Sequence, residues 1–430
     1  MVNSRGVIIN EKGAALITVY MAVAVLLAFG GFVVDVSNTQ NKAANTFKNQ
    51  AQIINIADAG IDEALVWLRD YYVQYGTYPS GSISKIGPKN FSPGSYEVFF
   101  TDLGSSGKAR YKVRCEVKIG GILQTVVTNY LQIDNFARYI WFTDGENYQG
   151  SNVWFWDQDH LNGTTHTNGH FNIKGNPVFG GKVLSVDDYI RYFNNGSNIN
   201  SSDLSNPPHD LPDFQDTVTL GSKSINMPTQ ALKLRAASLS GGVRYSGDTT
   251  IRLNSNGTMN VTNGGHTHNN VALPANGALF VNNGNLNISG TLSGRLTAGA
   301  SGDINITNNI IYANDPRIPG STSTDTLGLI SEGDVMISKN ASSTNLEIDA
   351  SIMALNTSFM LEEWWKNGAR GTLSVFGGII QKQRGPVGSF NGSTKVSGYS
   401  KNYNYDERLL SSPPPFVPTT GDYISLTWEN

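Results

Sequence analysis

Residues Ala14 to Val34 form an unbroken run of 21 uncharged, mostly apolar residues. At 1.5 Å per residue, a helix of this length spans about 31 Å, which matches the hydrocarbon core of a bilayer. A cleaved secretory signal has a shorter apolar region followed by a small-x-small cleavage site, and neither condition is met here. The run therefore predicts a single transmembrane helix that stays on the protein.

The sequence remains compatible with a helix after Asp35, because no proline occurs before Pro79. Apolar residues recur at steps of three and four, the spacing of one helix face, at Phe47, Ala51, Ile54, Ala57, Ile61, Leu65 and Leu68. The pattern predicts one helix of about 60 residues, on the order of 90 Å long, which ends near Tyr75. Its first part would anchor the protein, and its second part would pack on a soluble domain.

A connector rich in Gly, Pro and Ser over residues 77–93 separates the helix from a segment of strands. Apolar and charged residues alternate from Tyr111 to Ile119, which is the period of a half-buried strand. Glycine-rich breaks at 104–107 and 120–121 divide the segment into three such runs. We expect a three-stranded antiparallel meander packed on the helix, with Cys115 as a buried structural thiol.

The sequence pattern changes at about Asn135, where short apolar segments begin to alternate with turns rich in Asn, Gly and Ser. No amphipathic helix pattern separates these segments. Two architectures fit, a parallel β-solenoid and a β-sandwich. The solenoid is favoured because Asn and Gly at its corners tolerate left-handed backbone angles. The predicted fold class is α+β and mainly β.

The N-terminal layout resembles that of type IV pilins and pseudopilins, in which a charged leader ends in glycine before a hydrophobic helix. The PilX-type segment of minor pilins is more similar still, with "GAAL" from Gly13 and "ADAGIDEAL" at 57–65. The resemblance implies that a prepilin peptidase cleaves the Gly13–Ala14 bond. It also implies that the retained helix serves first as membrane anchor and then as filament core, through Ala14, Leu16, Thr18, Val25, Gly30 and Val34.

Thr18 departs from the pilin pattern. Most pilins have a glutamate at the fifth mature position, where it neutralises the N-terminal amine of a neighbouring subunit. Because an unpaired buried charge is costly, a subunit with Thr18 is expected to stack poorly on a subunit already below it in the filament. Pseudopilins at filament tips also tend to lack this glutamate. The alternative is a plain single-pass anchor that is never processed; the positive-inside signal is divided between Arg5 and Lys12 on one side and Lys42 and Lys48 on the other.

The remainder of the chain resembles an uncharacterised bacterial domain family found behind PilX-like N-termini. The similar stretches are His160 to Val183, Leu327 to Ile337, Gly377 to Gly388 and Gly398 to Pro418. This resemblance implies a surface or pilus-associated location and no particular chemistry. The predicted organisation is a leader peptide (1–13), a transmembrane and amphipathic helix (14–76), a pilin-like antiparallel β-meander (77–134) and a β-rich extracytoplasmic domain (135–430).

Two histidines are candidates for metal binding. His166 and His170 have the spacing of a helical zinc site, but "TNG" between them predicts a turn, and no cysteine or glutamate completes a ligand set. We expect solvated turn histidines, and no metal or cofactor. Arg384 in "QRGPVG" is expected to satisfy carbonyl groups or Asp406, and the proline-rich segment 411–418 to cover the exposed edge of the last strands.

The pair Glu362 and Glu363 stands beside Trp364 and Trp365, a composition found in glycoside hydrolases. Adjacent glutamates usually diverge, whereas two catalytic carboxyl groups must face one bond. We therefore expect no catalysis here, and expect the tryptophans to seal the interior of the domain.

The net charge of −3 gives no basic surplus for nucleic-acid binding. The sequence predicts a non-enzymatic minor pilin-like protein of a type IV pilus or type II secretion-like system, at the filament tip or in priming or adhesion. Expected partners are the membrane, prepilin peptidase, other pilins or pseudopilins, the assembly machinery, and a surface glycan or protein ligand. The expected location is the bacterial inner membrane, single-pass, with the large domain extracytoplasmic or on the cell surface. The alternatives are an anchored β-solenoid enzyme or lectin acting on surface polysaccharide, and an envelope protein without a filament partner.

Overall fold

The computed structural model describes residues 11–75, 77–81, 83, 85–104, 110–342, 344–366, 368–391 and 394–429. The chain divides into two compact units. The first contains the residues up to Gly104, Arg110–Leu131 and the segment from Ser425. The second contains Gln132–Ile424.

The helix α1 runs from Glu11 to Tyr75 without interruption and ends where the sequence predicts. Its N-terminal part, from Leu16, is long and apolar enough to cross a membrane, and this most apolar part of the helix is not buried. The predicted long apolar helix is therefore confirmed. The other helices in the described residues are short: α2 (Leu232–Leu239), α3 (Arg408–Ser411) and two 3-10 turns (Phe136–Arg138 and Asn194–Gly196).

The first unit contains one sheet. Its strands, in order across the sheet, are β1 (Ile86–Phe91), β2 (Gly94–Asp102), β3 (Tyr111–Ile119), β4 (Ile122–Asn135) and β32 (Thr419–Glu429), the last strand of the chain. The first four strands are antiparallel neighbours. The meander predicted from sequence is β2 to β4, and β1 and β32 lengthen the sheet at its two edges; Ser425 Oγ donates a hydrogen bond of 2.8 Å to Asn129 Oδ1.

One face of α1 is buried against the first unit, through Ile56, Ala57, Ile61, Ala64 and Leu68. Phe47 and Ile54, which the periodicity placed on this face, are exposed. The packed part therefore begins later than predicted. It includes Gly60, where an added Cβ would lie 2.5 Å from Cys115 Sγ and 3.1 Å from a ring carbon of Tyr96. Glycine is the residue that lets the helix backbone come this close to the sheet.

The second unit is mostly β, as predicted, and its strands form three ladders of parallel pairs. Ladder 1 contains, in order of pairing, β17 (Val243–Ser246), β21 (Ala278–Asn282), β23 (Arg295–Ala300), β25 (Thr326–Ser331), β27 (Leu346–Ala354), β29 (Ala369–Gln383), β5 (Trp141–Gly145), β9 (Thr165–Thr167), β12 (Val183–Ser185) and β16 (Val218–Leu220).

Ladder 2 contains β18 (Thr249–Asn254), β22 (Leu286–Leu292), β24 (Ile304–Tyr312), β26 (Val335–Ile337) and β28 (Phe359–Leu361). Ladder 3 uses other parts of β22, β24, β27 and β29, and continues with β31 (Thr394–Tyr405), β8 (His160–Asn162), β11 (Val178–Phe179) and β15 (Asp213–Phe214). The remaining strands are β6 (Asn147–Tyr148), β7 (Ser151–Asn152), β10 (Asn172–Ile173), β13 (Ile190–Tyr192), β14 (Ile199–Ser201), β19 (Thr258–Asn263), β20 (His266–Ala272) and β30 (Gly388–Asn391).

The middle strands of ladder 1, from β21 to β9, are buried on both faces. Alternate residues contribute to two clusters: Leu279, Leu329, Ile352 and Ile379 join an inner core, and Phe280, Ile330, Met353 and Ile380 join an outer cluster. Strands covered on both sides are apolar at successive positions rather than at alternate ones. This explains the continuous apolar segments, such as "LGLI" and "GGII", that the sequence shows in this region.

The order of pairing in ladder 1 differs from the order along the chain. Ile379 of β29 is paired with Trp141 of β5, and β31 is likewise paired with β8. The chain thus enters ladder 1 in its middle at β5, proceeds to one end at β16, and resumes at the other end at β17. We call the junction of β29 and β31 with β5 and β8 the seam.

The segment 221–242 connects the two ends of ladder 1 along its outer face. The Asn168 side chain donates to the Ile225 carbonyl (2.7 Å) and accepts from the Ile225 N–H (3.0 Å). On α2, Leu234 fills the space beside Gly299, where a Cβ would lie 2.6 Å from its Cδ2. The crossing segment thereby buries apolar side chains that ladder 1 would otherwise expose.

The proline-rich segment 411–418 lies over the same face. Arg295 donates hydrogen bonds of 2.6 Å to Ser412 Oγ and to the Pro413 carbonyl. Val417 joins the outer cluster. Because Arg295 belongs to β23, in the interior of ladder 1, the expectation that this segment covers the last strands is wrong. It covers an apolar face instead of a strand edge.

Candidate functional site

Ladder 2 stops at the seam. The position next to its last strand, β28, is occupied by the turn that follows β29. There the Leu361 N–H donates a hydrogen bond to the Pro386 carbonyl (3.1 Å). Gly385 is required there, since a Cβ would lie 2.2 Å from the Phe359 carbonyl oxygen. The chain then forms the β30–β31 hairpin instead of a ladder 2 strand. The stacking of strands is thus interrupted on this side of the second unit.

A cavity of about 420 Å³ occupies the interruption, and we call it the seam cleft. Residues 148–156, 364–365 and 385–390 form most of its lining, together with Lys174 and Lys401. Its aromatic side chains are Tyr148, Trp154, Trp156, Trp364, Trp365 and Phe390. Ligand sites in proteins are concave, largely apolar and aromatic, with a few polar groups that fix orientation. The seam cleft has this composition.

The aromatic side chains of the seam cleft differ in exposure. Trp156 is 4% exposed and its ring centroid lies 3.8 Å from that of Phe390. Trp365 is 59% exposed and stands nearly perpendicular to Trp364, at 5.8 Å and 86°. The seam cleft therefore combines a fixed aromatic wall with one indole that is accessible to solvent.

Arg384 supports segment 148–156, which lines the seam cleft. It is fully buried, its guanidinium lies 3.5 Å from the Phe155 ring centroid, and it donates to Glu146 Oε2 (3.1 Å) and to the Trp154 carbonyl (2.9 Å). A buried ion pair requires such additional hydrogen bonds to offset desolvation. The predicted structural role on carbonyl groups fits these contacts, but the carboxylate partners are Glu146 and, at 3.8 Å, Asp159, because Asp406 pairs with Arg408.

The charged groups that line the seam cleft are both lysines. Lys401 Nζ lies 2.6 Å from Asp159 Oδ2; burial lowers the pKa of Lys401, and the nearby Asp159 acts in the opposite direction. Lys174 Nζ lies 4.6 Å from the Phe193 ring centroid. Among the residues that the structure describes, no aspartate or glutamate lines the cavity.

The two glutamates considered for catalysis lie outside this lining. Lys339 Nζ approaches both carboxylates, at 3.7 Å from Glu362 and 3.3 Å from Glu363. The expectation for the tryptophans holds for one of the two: Trp364 packs against the inner core, whereas Trp365 is exposed and lines the seam cleft.

The histidines do not converge on one point. His166 is buried on β9, stacked on Phe142 at 5.0 Å and 5°, and bonded to Asn168 Oδ1 (3.1 Å). Burial lowers its pKa to about 4. His170 Nδ1 contacts Asp187 Oδ2 at 2.8 Å. The expectation of solvated turn histidines is wrong for His166, because position 166 belongs to the buried outer column of ladder 1, beside Phe142. Within the described part of the chain, no three His, Cys, Asp or Glu residues form a group that could hold a metal ion.

The residues assigned to processing and membrane insertion lie on α1. The Gly13–Ala14 bond is in the first turns of the helix, and residues 1–10 of the predicted leader lie outside the described residues. Leu16, Val25 and Val34 are each about three-fifths exposed, and a Cβ at Gly30 would meet no atom within 4 Å. Thr18 is likewise on the exposed surface of the helix.

The seam cleft is not apparent from the sequence. Its walls come from three segments that are far apart along the chain; Arg384 and Glu146, which brace them, are 238 residues apart. A local signal existed: "NVWFWDQ" and "EEWWKNG" contain four tryptophans, and all four line this one cavity. The order of strand pairing that joins these motifs is a long-range property.

The comparisons with known proteins give one family match. Residues 95–187 match a family model described as a domain of unknown function (DUF4900). No curated protein and no solved structure matches the chain. The matched region extends from β2 to just beyond β12, and includes Trp154, Trp156 and Lys174.

Proposed function

We propose that the protein is a non-enzymatic minor pilin-like subunit of a type IV pilus or a type II secretion-like system. The observation that supports this most is α1 itself. One uninterrupted helix carries an exposed apolar half, from Leu16, and a second half whose face, Ile56 to Leu68, is buried on an antiparallel sheet. A pilin needs both halves on one helix, because the first must serve the membrane and the filament in turn.

The N-terminal details of the proposal follow from the sequence. Prepilin peptidase would cleave the Gly13–Ala14 bond and leave the apolar helix on the mature protein. Thr18 provides no carboxylate to neutralise the amine of a neighbouring subunit, and an unpaired charge in an apolar filament core is unfavourable. The proposal therefore assigns the subunit to the filament tip, acting in assembly priming or adhesion. It also assigns the second unit to the extracytoplasmic side of a bacterial inner membrane and to the cell surface.

We further propose that the three parallel ladders form a β-solenoid. The support is the register: Leu279, Ala298, Leu329, Ile352, Ile379 and Trp141 follow one another as direct partners along ladder 1. Side chains of all three ladders enter one inner core. Parallel strands that return to the same position after each circuit are the defining pattern of a solenoid, whereas sandwiches are built from antiparallel pairs.

The filament proposal is tested by the location of the protein in a host that makes filaments. The expected result is a small amount of protein in sheared filaments, at their ends in immunogold images. A Gly13→Leu variant should remain in the membrane fraction, whereas the control variant Gly368→Ala, in the second unit and with no atom within 4 Å of the added Cβ, should behave as the unmodified protein. Equal recovery of Gly13→Leu in filaments would contradict the proposal, as would unchanged filament number and motility after loss of the protein.

The alternative function is that of an anchored lectin or enzyme acting on surface polysaccharide. The seam cleft favours binding over turnover within that alternative, because Glu362 and Glu363 contact Lys339 and lie outside the lining. A reducing-sugar assay with surface polysaccharide separates the two, since only an enzyme would release new reducing ends.

A further inference from the structure

We propose that the seam cleft binds an acidic saccharide, one whose sugar rings carry carboxylate groups. This inference does not depend on assembly into a filament. It rests on an accessible indole, two buried indole N–H groups and the charge of the lining.

Trp365 supplies the accessible indole. A tryptophan that is 59% exposed leaves a large apolar surface in contact with water, and Trp365 belongs to the aromatic lining of a cavity, which is the usual composition of a ligand site. Trp364, perpendicular to it at 5.8 Å, packs against the inner core and limits where Trp365 can go. A sugar ring has an apolar C–H face of comparable size to an indole ring. Stacking of the two would remove both surfaces from water.

The two indole N–H groups indicate what the ligand must carry. Trp156 and Trp364 both line the seam cleft, and the Nε1 atom of each is buried without an acceptor among the described residues. Trp156 is 4% exposed, so water has little access to it. A buried donor without an acceptor is costly and is rarely left so in a folded protein. Both Nε1 atoms are covered in this conformation, so a ligand oxygen would reach them only when a side chain of the lining shifts on binding; oxygen atoms along the edge of a sugar ring would then provide the acceptors.

The charge of the lining selects among ligands that fit an aromatic cleft. Aromatic cages often bind methylated ammonium groups. Here, Lys174 and Lys401 line the cavity and no described carboxylate does, so a cation would meet repulsion. The Lys401 charge is compensated by Asp159 at 2.6 Å. No described carboxylate lies within 4.0 Å of Lys174 Nζ, which leaves Lys174 to attract an anionic substituent. A sugar acid satisfies all three features at once.

The test uses the full-length protein in detergent and calorimetric titration with oligogalacturonate and with a neutral galactose oligomer of equal length. At low salt, we expect oligogalacturonate to bind about tenfold more tightly, which corresponds to about 1.4 kcal/mol. Raising the salt to about 0.5 M should remove that difference, because an exposed ionic attraction is screened.

Variants connect the binding to named residues. Trp365→Ala should weaken binding of both oligomers by about tenfold or more, whereas Ile318→Ala, at an equally exposed apolar side chain outside the lining, should leave it unchanged. Lys174→Gln should abolish the preference for the acidic oligomer, with Lys182→Gln as the control at an exposed lysine outside the lining.

Several results would overturn the proposal: no saturable binding of oligogalacturonate, equal binding of the neutral oligomer, or binding that Trp365→Ala leaves intact. Displacement of oligogalacturonate by a proline-rich peptide at lower concentration would also overturn it, since it would assign the cleft to a peptide ligand. Because each readout is made on purified protein, failure here is separate from failure of the filament proposal, which is scored by location in cells.

Discussion

Gly60 on α1 faces Cys115 on β3 so closely that a Cβ at position 60 would lie 2.5 Å from the Cys115 sulfur. The contact brings the "ADAGIDEAL" stretch of the helix onto the middle of the sheet. Cys115 is itself fully buried, as predicted from the alternation in β3. The soluble half of α1 can thus pack this closely on the sheet because residue 60 has no side chain.

Gly60→Ala should therefore destabilise the first unit. Overpacking of a close contact typically costs about 1–3 kcal/mol, which exceeds the gain in helix propensity of about 1 kcal/mol. The free energy of unfolding is measured with urea and followed by tryptophan fluorescence, to which Trp67, packed on Phe100 at 5.2 Å, contributes from the first unit. The control is Gly30→Ala, at a glycine with no atom within 4 Å of the added Cβ; equal stability of the two variants would contradict the contact.

The Cys115 thiol should be unreactive in the folded protein. Burial raises the pKa of Cys115 to about 12, and the thiolate is the reactive form. At pH 8 we expect no reaction with a thiol-specific disulfide reagent until urea is added, when one equivalent should react. Stoichiometric labelling of the native protein at the rate of a free thiol would show that Cys115 is exposed.

His166 should make the second unit sensitive to acid. Burial lowers its pKa from 6.5 to about 4, and Arg138 acts in the same direction, so the folded state binds fewer protons than the unfolded state between these values. The stability that neutral His166 contributes is present above pH 6.5 and is lost as the pH falls towards 4, at up to about 1.4 kcal/mol per pH unit. The check is the free energy of unfolding between pH 7.5 and 4.5.

The variant His166→Gln should have a shallower dependence on pH over that window. His160→Gln, at an exposed histidine on β8, serves as the control and should keep the slope of the unmodified protein. A slope that His166→Gln leaves unchanged would assign the acid sensitivity to other groups.

The buried ion pair of Arg384 and Glu146 should contribute far more to the free energy of unfolding than the more exposed pair of Lys382 and Asp144. Arg384→Ala leaves Glu146 buried without its cation, and we expect a loss of about 3–5 kcal/mol. Lys382→Ala removes the partner of Asp144 at a more exposed position, where we expect about 1 kcal/mol or less. Urea unfolding of the two variants provides the comparison, and a similar small loss in both would contradict the bracing role of Arg384.

Local features of the fold could be read from the sequence, and long-range ones could not. The continuous helix ends at Tyr75 as predicted, and the alternation in β3 places Cys115 inside, because both patterns repeat within a few residues. Burial of His166 depends on its partner Phe142 across ladder 1, and exposure of Trp365 depends on an interruption of stacking at the seam. These follow from which strands pair, and the chain order of the strands does not reveal it.

The central claim is that the apolar helix is kept after cleavage and reused for assembly. Its most direct test is the mass and N-terminal sequence of protein purified from membranes of cells with active prepilin peptidase. The account predicts a mature chain that starts at Ala14 and retains the segment to Val34. Protein with an intact Gly13–Ala14 bond, or a mature chain released without this segment, would contradict it.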